Sequence, residues 1–257
     1  MNSKERFGTL LKVRAGLGGW PLGTPVPDSR LRVYQMSEIM VDVGRDLAKL
    51  HVKQGEGYGP VDNRETFVFG RFKAHYRTWP EYLTDRFQKQ GDHLEKVIDK
   101  EVENGTYLSG LSAEQKIQHD VNLEKRPFVS DLMKKFYPIL LPVKPHLLHG
   151  NIHKDIIFTK EEKYAGLGDY SQMVLGDPVN DLAYASIMPD GDEWKMKILQ
   201  GWGETQNDPD LEKKMHLYRL LESYRKIYTR YVKHHWLGAY PQPFDIAQQE
   251  ISHLVSS

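Results

Sequence analysis

Leu147-Leu148-His149-Gly150-Asn151-Ile152-His153-Lys154-Asp155-Ile156-Ile157-Phe158 is the stretch on which the reading of the fold turns. It holds a polar loop between two brief apolar runs, His146-Leu147-Leu148 and Ile156-Ile157-Phe158, and a third run follows at Tyr164 to Gly168. Runs this short, bounded by Gly, Pro and polar residues, predict short strands in a β-rich loop region. Pro142 and Pro145 punctuate its start. Downstream come Gly168-Asp169-Tyr170 and then Gly176-Asp177-Pro178-Val179-Asn180-Asp181-Leu182-Ala183.

Outward from this region the pattern is helical. Ile39, Met40, Val43, Leu47 and Leu50 recur at helical spacing after Ser37, an N-cap residue type. Thr78-Trp79-Pro80-Glu81 reads as a capping box with Pro in the first turn, opening a helix through Leu83, Phe87, Leu94, Val97 and Ile98, with a break at Gly91. Ser112 and Gln115 repeat the capping pattern for a stretch reaching Phe136. Ile117, Val121, Phe128 and Leu132 are predicted to face inward, and Pro127 to break or kink the helix. Further helices are predicted over Pro178–Ile187, Glu193–Gly201, Pro209–His235 and Phe244–Leu254, and a short strand over Thr9–Val13 before a Gly- and Pro-rich loop. The predicted class is α+β, mainly helical with a few short strands.

Composition narrows the function. Lys plus Arg and Asp plus Glu both count 35 in 257 residues, so no global field recruits nucleic acid or an anionic membrane. The chain has no cysteine, which removes disulfides, thiolate metal sites and a cysteine nucleophile. No apolar run approaches the roughly 20 residues a membrane span needs. Met1 to Gly8 lacks the apolar core of a signal peptide, and the expected location is cytoplasmic.

The ordered motifs around residue 150 resemble the aminoglycoside phosphotransferase and choline kinase-like superfamily. Its signature is His-Gly-Asp, four residues, then Asn, followed by a metal-binding Asp and a Gly-Asp-Pro…Asp-Leu-Ala segment. Leu47-Ala48-Lys49-Leu50-His51, Gly57-Tyr58-Gly59-Pro60 and Trp79 to Leu83 are similar to the family's upstream elements. The resemblance covers roughly residues 32–235. It implies a helical protein-kinase-like C-terminal lobe over 36–257, with 1–35 a remnant of an N-terminal lobe and hinge. It also implies ATP and magnesium as cofactors if the chain is active. A phosphoryl-transfer site needs an Asp near the attacking hydroxyl, and an Asn and a second Asp to hold magnesium against the phosphates.

The chain departs from this pattern at the reacting positions. Asn151 stands where the resemblance puts the catalytic Asp, and an amide takes no proton. Ile156 stands at the magnesium Asn and offers no oxygen, the donor a hard cation requires. Asp169 matches the metal-binding Asp, and Asp155 is a candidate substitute ligand whose side chain would point the other way. Lys12 superficially resembles the strand lysine of the nucleotide lobe, but Gly16, Gly18 and Gly19 follow it where a phosphate loop would precede it.

His149 reads either as a catalytic group or, by the resemblance, as a brace for the loop. His149, His153, Asp155 and Asp169 could also be read as a transition-metal set. Asp177 and Asp181 are given loop and helix-cap roles by the resemblance. Three functions remain open on these residues. The chain is a degenerate phosphotransferase, a working or repurposed small-molecule enzyme with a small-molecule substrate, or a module that completes its core with a second copy or a protein partner. The last reading places an apolar face near Leu22, Val26 and the loop after His51.

Overall fold

A computed structural model of the chain describes residues 23–26, 33–62, 65–66, 70–109, 111–187, 191–203, 208–232 and 242–256. The predicted strand at Thr9–Val13, together with Lys12, the glycines at 16–19 and Leu22, lies outside these residues. The chain divides into two compact units, residues 1–79 with 143–209 and residues 80–142 with 210–257.

The first unit contains the signature loop. Its described elements are β1 (Thr24–Pro25), α1 (Val33–His51) and β2 (Gly59–Pro60), and α2 (Trp79–Glu103) starts at its edge. After the second unit's first segment come β3 (His146–Leu148), β4 (Ile157–Lys160), β5 (Lys163–Leu167), β6 (Val174–Gly176), α5 (Val179–Ser186) and α6 (Gly191–Trp202). The strands form two antiparallel sheets, ordered β1-β4-β5 and β2-β6-β3. Leu147 pairs with Leu175 and Leu148 with Val174, so β3 leads into the loop beside the strand that leads into α5. Leu50, Ala74, Leu147, Met173 and Leu175 pack as one apolar cluster under it. Val26 is buried, contrary to the apolar face expected there, whereas Val52 is 78% exposed.

Helices α1 and α6 touch backbone to backbone. A Cβ added at Gly44 would lie 2.2 Å from the Ile198 carbonyl oxygen, and one at Gly201 would lie 1.8 Å from that of Val41. Each glycine costs helix propensity, and close approach of the two axes is what it permits.

The second unit is helical. It comprises most of α2, then α3 (Ala113–Lys135), α4 (Tyr137–Leu140), α7 (Leu211–Val232) and α8 (Gln242–Ser256). The predicted capping box is formed. Ser112 Oγ accepts from the Gln115 N–H at 3.2 Å, and Gln115 Oε1 accepts from the Ser112 N–H at 2.9 Å. The break predicted at Gly91 is absent, since α2 runs through it, and of the break or kink predicted at Pro127 the break is absent, since α3 continues through it.

The inward face of α3 also differs from the apolar reading. Ile117 is 64% exposed and Phe128 43%, whereas His119, Asn122, Val129, Leu132 and Met133 are buried. His119 stacks on Tyr231 with ring centroids 4.5 Å apart, and the Asn122 carbonyl accepts the Tyr224 hydroxyl. Buried charge is paired here. Arg86 donates to Glu222 at 2.9 Å, and Arg219 donates to Glu250 at 2.6 Å. The tyrosines 218, 224 and 231 are core residues, while His234, His235 and Trp236 fall outside the described residues.

Gly201→Ala is expected to lower the unfolding free energy by about 1–3 kcal/mol, because the new methyl meets backbone that cannot rotate away. Urea denaturation followed by circular dichroism reads the loss; an unchanged midpoint would contradict the backbone contact.

Candidate functional site

The loop after β3 is held by one buried carboxylate. Asp181, in the first turn of α5, accepts the backbone N–H of His149 at 2.7 Å through one oxygen and that of Gly150 at 2.8 Å through the other. His51, the last residue of α1, shares the first oxygen at 3.1 Å. The indole N–H of Trp202 donates to His51 Nδ1 at 2.9 Å. An indole nitrogen can only donate, so Nδ1 carries the lone pair and the imidazole proton sits on Nε2, pointing at Asp181. Burial works to raise the Asp181 carboxyl. The hydrogen bonds from His51 and from the loop N–H groups outweigh it and hold the group below the usual carboxylate range.

His149 is fully buried, as a brace would be. Its Nε2 donates to the Gly168 carbonyl at 2.8 Å, and its ring lies 4.7 Å from that of Tyr170. Nδ1 has no hydrogen-bond partner. Burial pushes the imidazole below its ordinary pKa, so it stays neutral with its proton on Nε2. Gly150 has φ +78°, and a Cβ there would sit 2.1 Å from the Gln172 carbonyl oxygen. The loop carrying Asn151 and the loop carrying Asp169 are therefore pressed together at residues 149–150 and 168–172.

Asn151 Oδ1 accepts the Tyr184 hydroxyl at 2.9 Å. Tyr184 belongs to α5, three residues beyond Asp181, so one short helix holds the loop backbone and occupies the amide. Asp169 is exposed and left-handed at φ +49°. Its Oδ1 accepts the Ser171 hydroxyl at 2.6 Å and the Ser171 N–H at 3.3 Å, and these bonds hold the carboxyl below its ordinary pKa. Asp155 lies on a single 3-10 turn, Lys154–Ile156, largely exposed, with His153 Nδ1 at 3.1 Å. Ile156 is 5% exposed, its side chain packed into the core.

These residues do not fit a magnesium ion as the resemblance implies. The position of the second ligand is apolar and buried, and Asp169 alone remains of the expected set. The transition-metal alternative also fails to assemble. Among the described residues no group of three or more His, Asp or Glu side chains is placed to hold a metal ion. Tyr184 and Trp202 were not legible as site residues: each sits in an apolar helical pattern that reads as core. Asp177, given a loop role, accepts the Val179 N–H at 3.1 Å and opens α5.

Two stability predictions follow from the buried groups. Asp181→Asn should lower the unfolding free energy by about 3–5 kcal/mol, since it breaks a fully buried, hydrogen-bonded charge; a loss under 1 kcal/mol in urea titration, on the order of a surface pair, would contradict the clamp. The pH dependence has a defined sign. His149 is depressed, and His119 is depressed to about 4 by burial. The unfolded chain therefore binds protons that the folded chain refuses once pH drops below the ordinary value of 6.5. Stability is present above that value and is lost as pH falls toward about 4, by up to about 1.4 kcal/mol per pH unit per histidine. Urea midpoints measured from pH 7 to 4.5, with His119→Phe as the flatter control, check it.

No family model matches the chain, nor does any curated protein. Solved structures do. The apo form of a thermostable mutant of aminoglycoside phosphotransferase APH(4)-Ia aligns at TM-score 0.54 and 14% identity, covering 93% of this chain and 69% of that one. The gentamicin complex of APH(2")-IIa aligns at 0.51 and 16%, covering 89% and 64%. The streptomycin–ATP ternary complex of APH(2")-IIa aligns at 0.50 and 14%, covering 100% and 82%. At this similarity the chain has the kinase-like fold of these aminoglycoside phosphotransferase structures.

Proposed function

We propose that the chain is a degenerate phosphotransferase, a protein that keeps the scaffold and has little or no kinase activity. The observation that carries this reading is the state of residue 151. Its amide oxygen already accepts the Tyr184 hydroxyl, and an amide cannot receive the proton of an attacking hydroxyl. Ile156, buried in the core, supports the same reading, because it supplies no oxygen for a metal bridging phosphates. Loss of a general base alone costs a factor of roughly 10² to 10⁴.

A working or repurposed enzyme is the second reading, and Asp169 favours it. The carboxylate is exposed, held ionised, and engaged through one oxygen only. On this reading ATP and an aminoglycoside such as gentamicin are the first substrates to test, by analogy with the ligands of the similar structures.

Calorimetric titration separates the two. The degenerate reading expects ATP–magnesium to bind more weakly than about 1 mM, a free energy of only roughly 4 kcal/mol, and no ADP release with gentamicin. Micromolar binding, or steady turnover by the unmodified chain, would overturn it in favour of the enzyme. Asn151→Asp with Ile156→Asn is expected to leave the chain inactive, since residue 156 faces the core; magnesium-dependent turnover in that variant would mean the pocket is otherwise intact.

A further inference from the structure

Helices α2 and α3 each carry a residue that helix interiors disfavour. A glycine costs about 1 kcal/mol and a proline about 3 kcal/mol relative to alanine. Both residues, Gly91 and Pro127, line the same cleft of the second unit, whose volume is about 530 Å³. Gly91 has a specific reason to be there. A Cβ on it would stand 2.6 Å from an outer nitrogen of Arg126, so the missing side chain lets the guanidinium lie across α2. Pro127 has no N–H to give the carbonyl of Leu123, which also lines the cleft.

Arg126 stacks with its guanidinium carbon 4.2 Å from the Phe87 ring centroid and donates once, to the Phe87 carbonyl at 2.6 Å. Among the described residues it forms no ion pair, and its remaining N–H groups have no protein acceptor. Burial holds it below its ordinary pKa, outweighing the opposing pull of Tyr224, Glu95 and Asp92. A planar fork with unused donors beside an open cavity is the arrangement that takes a carboxylate or phosphate. Glu95 and Asp99, one turn apart on α2, also line the cleft and form no ion pair among the described residues. Ile98 and Leu123 supply apolar wall.

We propose that this cleft binds a small zwitterion, its anionic group on Arg126, its amine at Glu95 and Asp99, and a short apolar chain between them over Ile98 and Leu123. The distance fits. Four to eight residues separate Gly91 from the two acids, about 6–12 Å at the helical rise per residue. The presence of both signs selects against a plain anion, which Glu95 and Asp99 repel, and against a plain amine, which Arg126 repels. The site lies wholly in the second unit and does not depend on whether the loop at Asn151 is active.

The test uses the full chain, labelled with nitrogen-15, and ε-aminocaproate as probe, with caproate and n-hexylamine as its two halves. Saturable amide shifts at Gly91, Glu95 and Ser130 are expected with ε-aminocaproate. Each half should bind at least about tenfold more weakly, a difference of about 1.4 kcal/mol. Arg126→Lys keeps the charge and loses the fork, and should weaken the probe about tenfold. Glu95→Gln with Asp99→Asn, both on exposed side chains, should weaken ε-aminocaproate and leave or improve caproate. No saturable shift overturns the proposal. Equal binding of n-hexylamine reduces the cleft to an acidic patch, equal binding of caproate reduces it to an anion contact, and indifference to the exposed double substitution does the same; each rejects the zwitterion.

Discussion

One buried carboxylate organises the signature loop. Asp181 must be charged to accept two backbone N–H groups and the His51 proton at once, and it is fully buried. A lone carboxylate there would be prohibitively costly, and its three donors are what keep it ionised. The dependence runs in both directions. The donors at His149 and Gly150 converge only because Gly150 adopts φ +78° against the Gln172 carbonyl, a close approach that no side chain would tolerate. The carboxylate fixes the turn, and the turn supplies the carboxylate's partners.

The clamp reaches back to the helix crossing. His51 closes α1 and Trp202 closes α6, and the indole sets the imidazole tautomer that Asp181 requires. The two helices approach closely because Gly44 and Gly201 bring backbone against backbone. A change at the crossing therefore acts on the loop through an ordered chain of hydrogen bonds, without touching Asn151.

Much of this was legible in the sequence, and the failures have physical causes. The strands β3 and β5 and the Ser112 capping box stand where short apolar runs, their bounding residues and cap chemistry put them. The hairpin joining β4 to β5 carried no turn signal, because its two turn residues are Glu161 and Glu162, at φ +52° and +61°. Such turns favour Asn and Gly, and here Gln35 donates to Glu162 at 2.6 Å, a contact remote in sequence. The inward face of α3 was misread because apolar spacing was taken as the whole signal. The buried positions include His119, which stacks on Tyr231 of another helix, and Asn122, whose amide turns back to the Gln118 carbonyl on its own helix, and apolar spacing marks neither. Gly91 was read as a break and Pro127 as a break or kink, since propensity alone says so. Tertiary packing overrides it, and a guanidinium laid across Gly91 supplies a reason that only the fold reveals. Asn151, Asp169 and Ile156 were singled out by position in the resembling motif, whereas the Tyr184 hydrogen bond that occupies the amide was not legible, because a tyrosine in an apolar helix gives no sign of which way its hydroxyl points.

On the degenerate reading proposed above, the structural and chemical layers of the loop have separated. Asp181, His51, His149 and Gly150 form a hydrogen-bonded unit that holds the loop. Asn151 and Ile156 carry no such duty. Residue 151 bonds to Tyr184 through an amide oxygen that a carboxylate could replace, and residue 156 fills core volume with an apolar side chain. The side chains at these two positions lie apart from the clamp's hydrogen bonds, so on the degenerate reading they can differ without disturbing it. Persistence of the fold is therefore no evidence of turnover, and the chemistry of this chain has to be judged from residues 151, 156 and 169, where only the last still presents a charged oxygen to solvent.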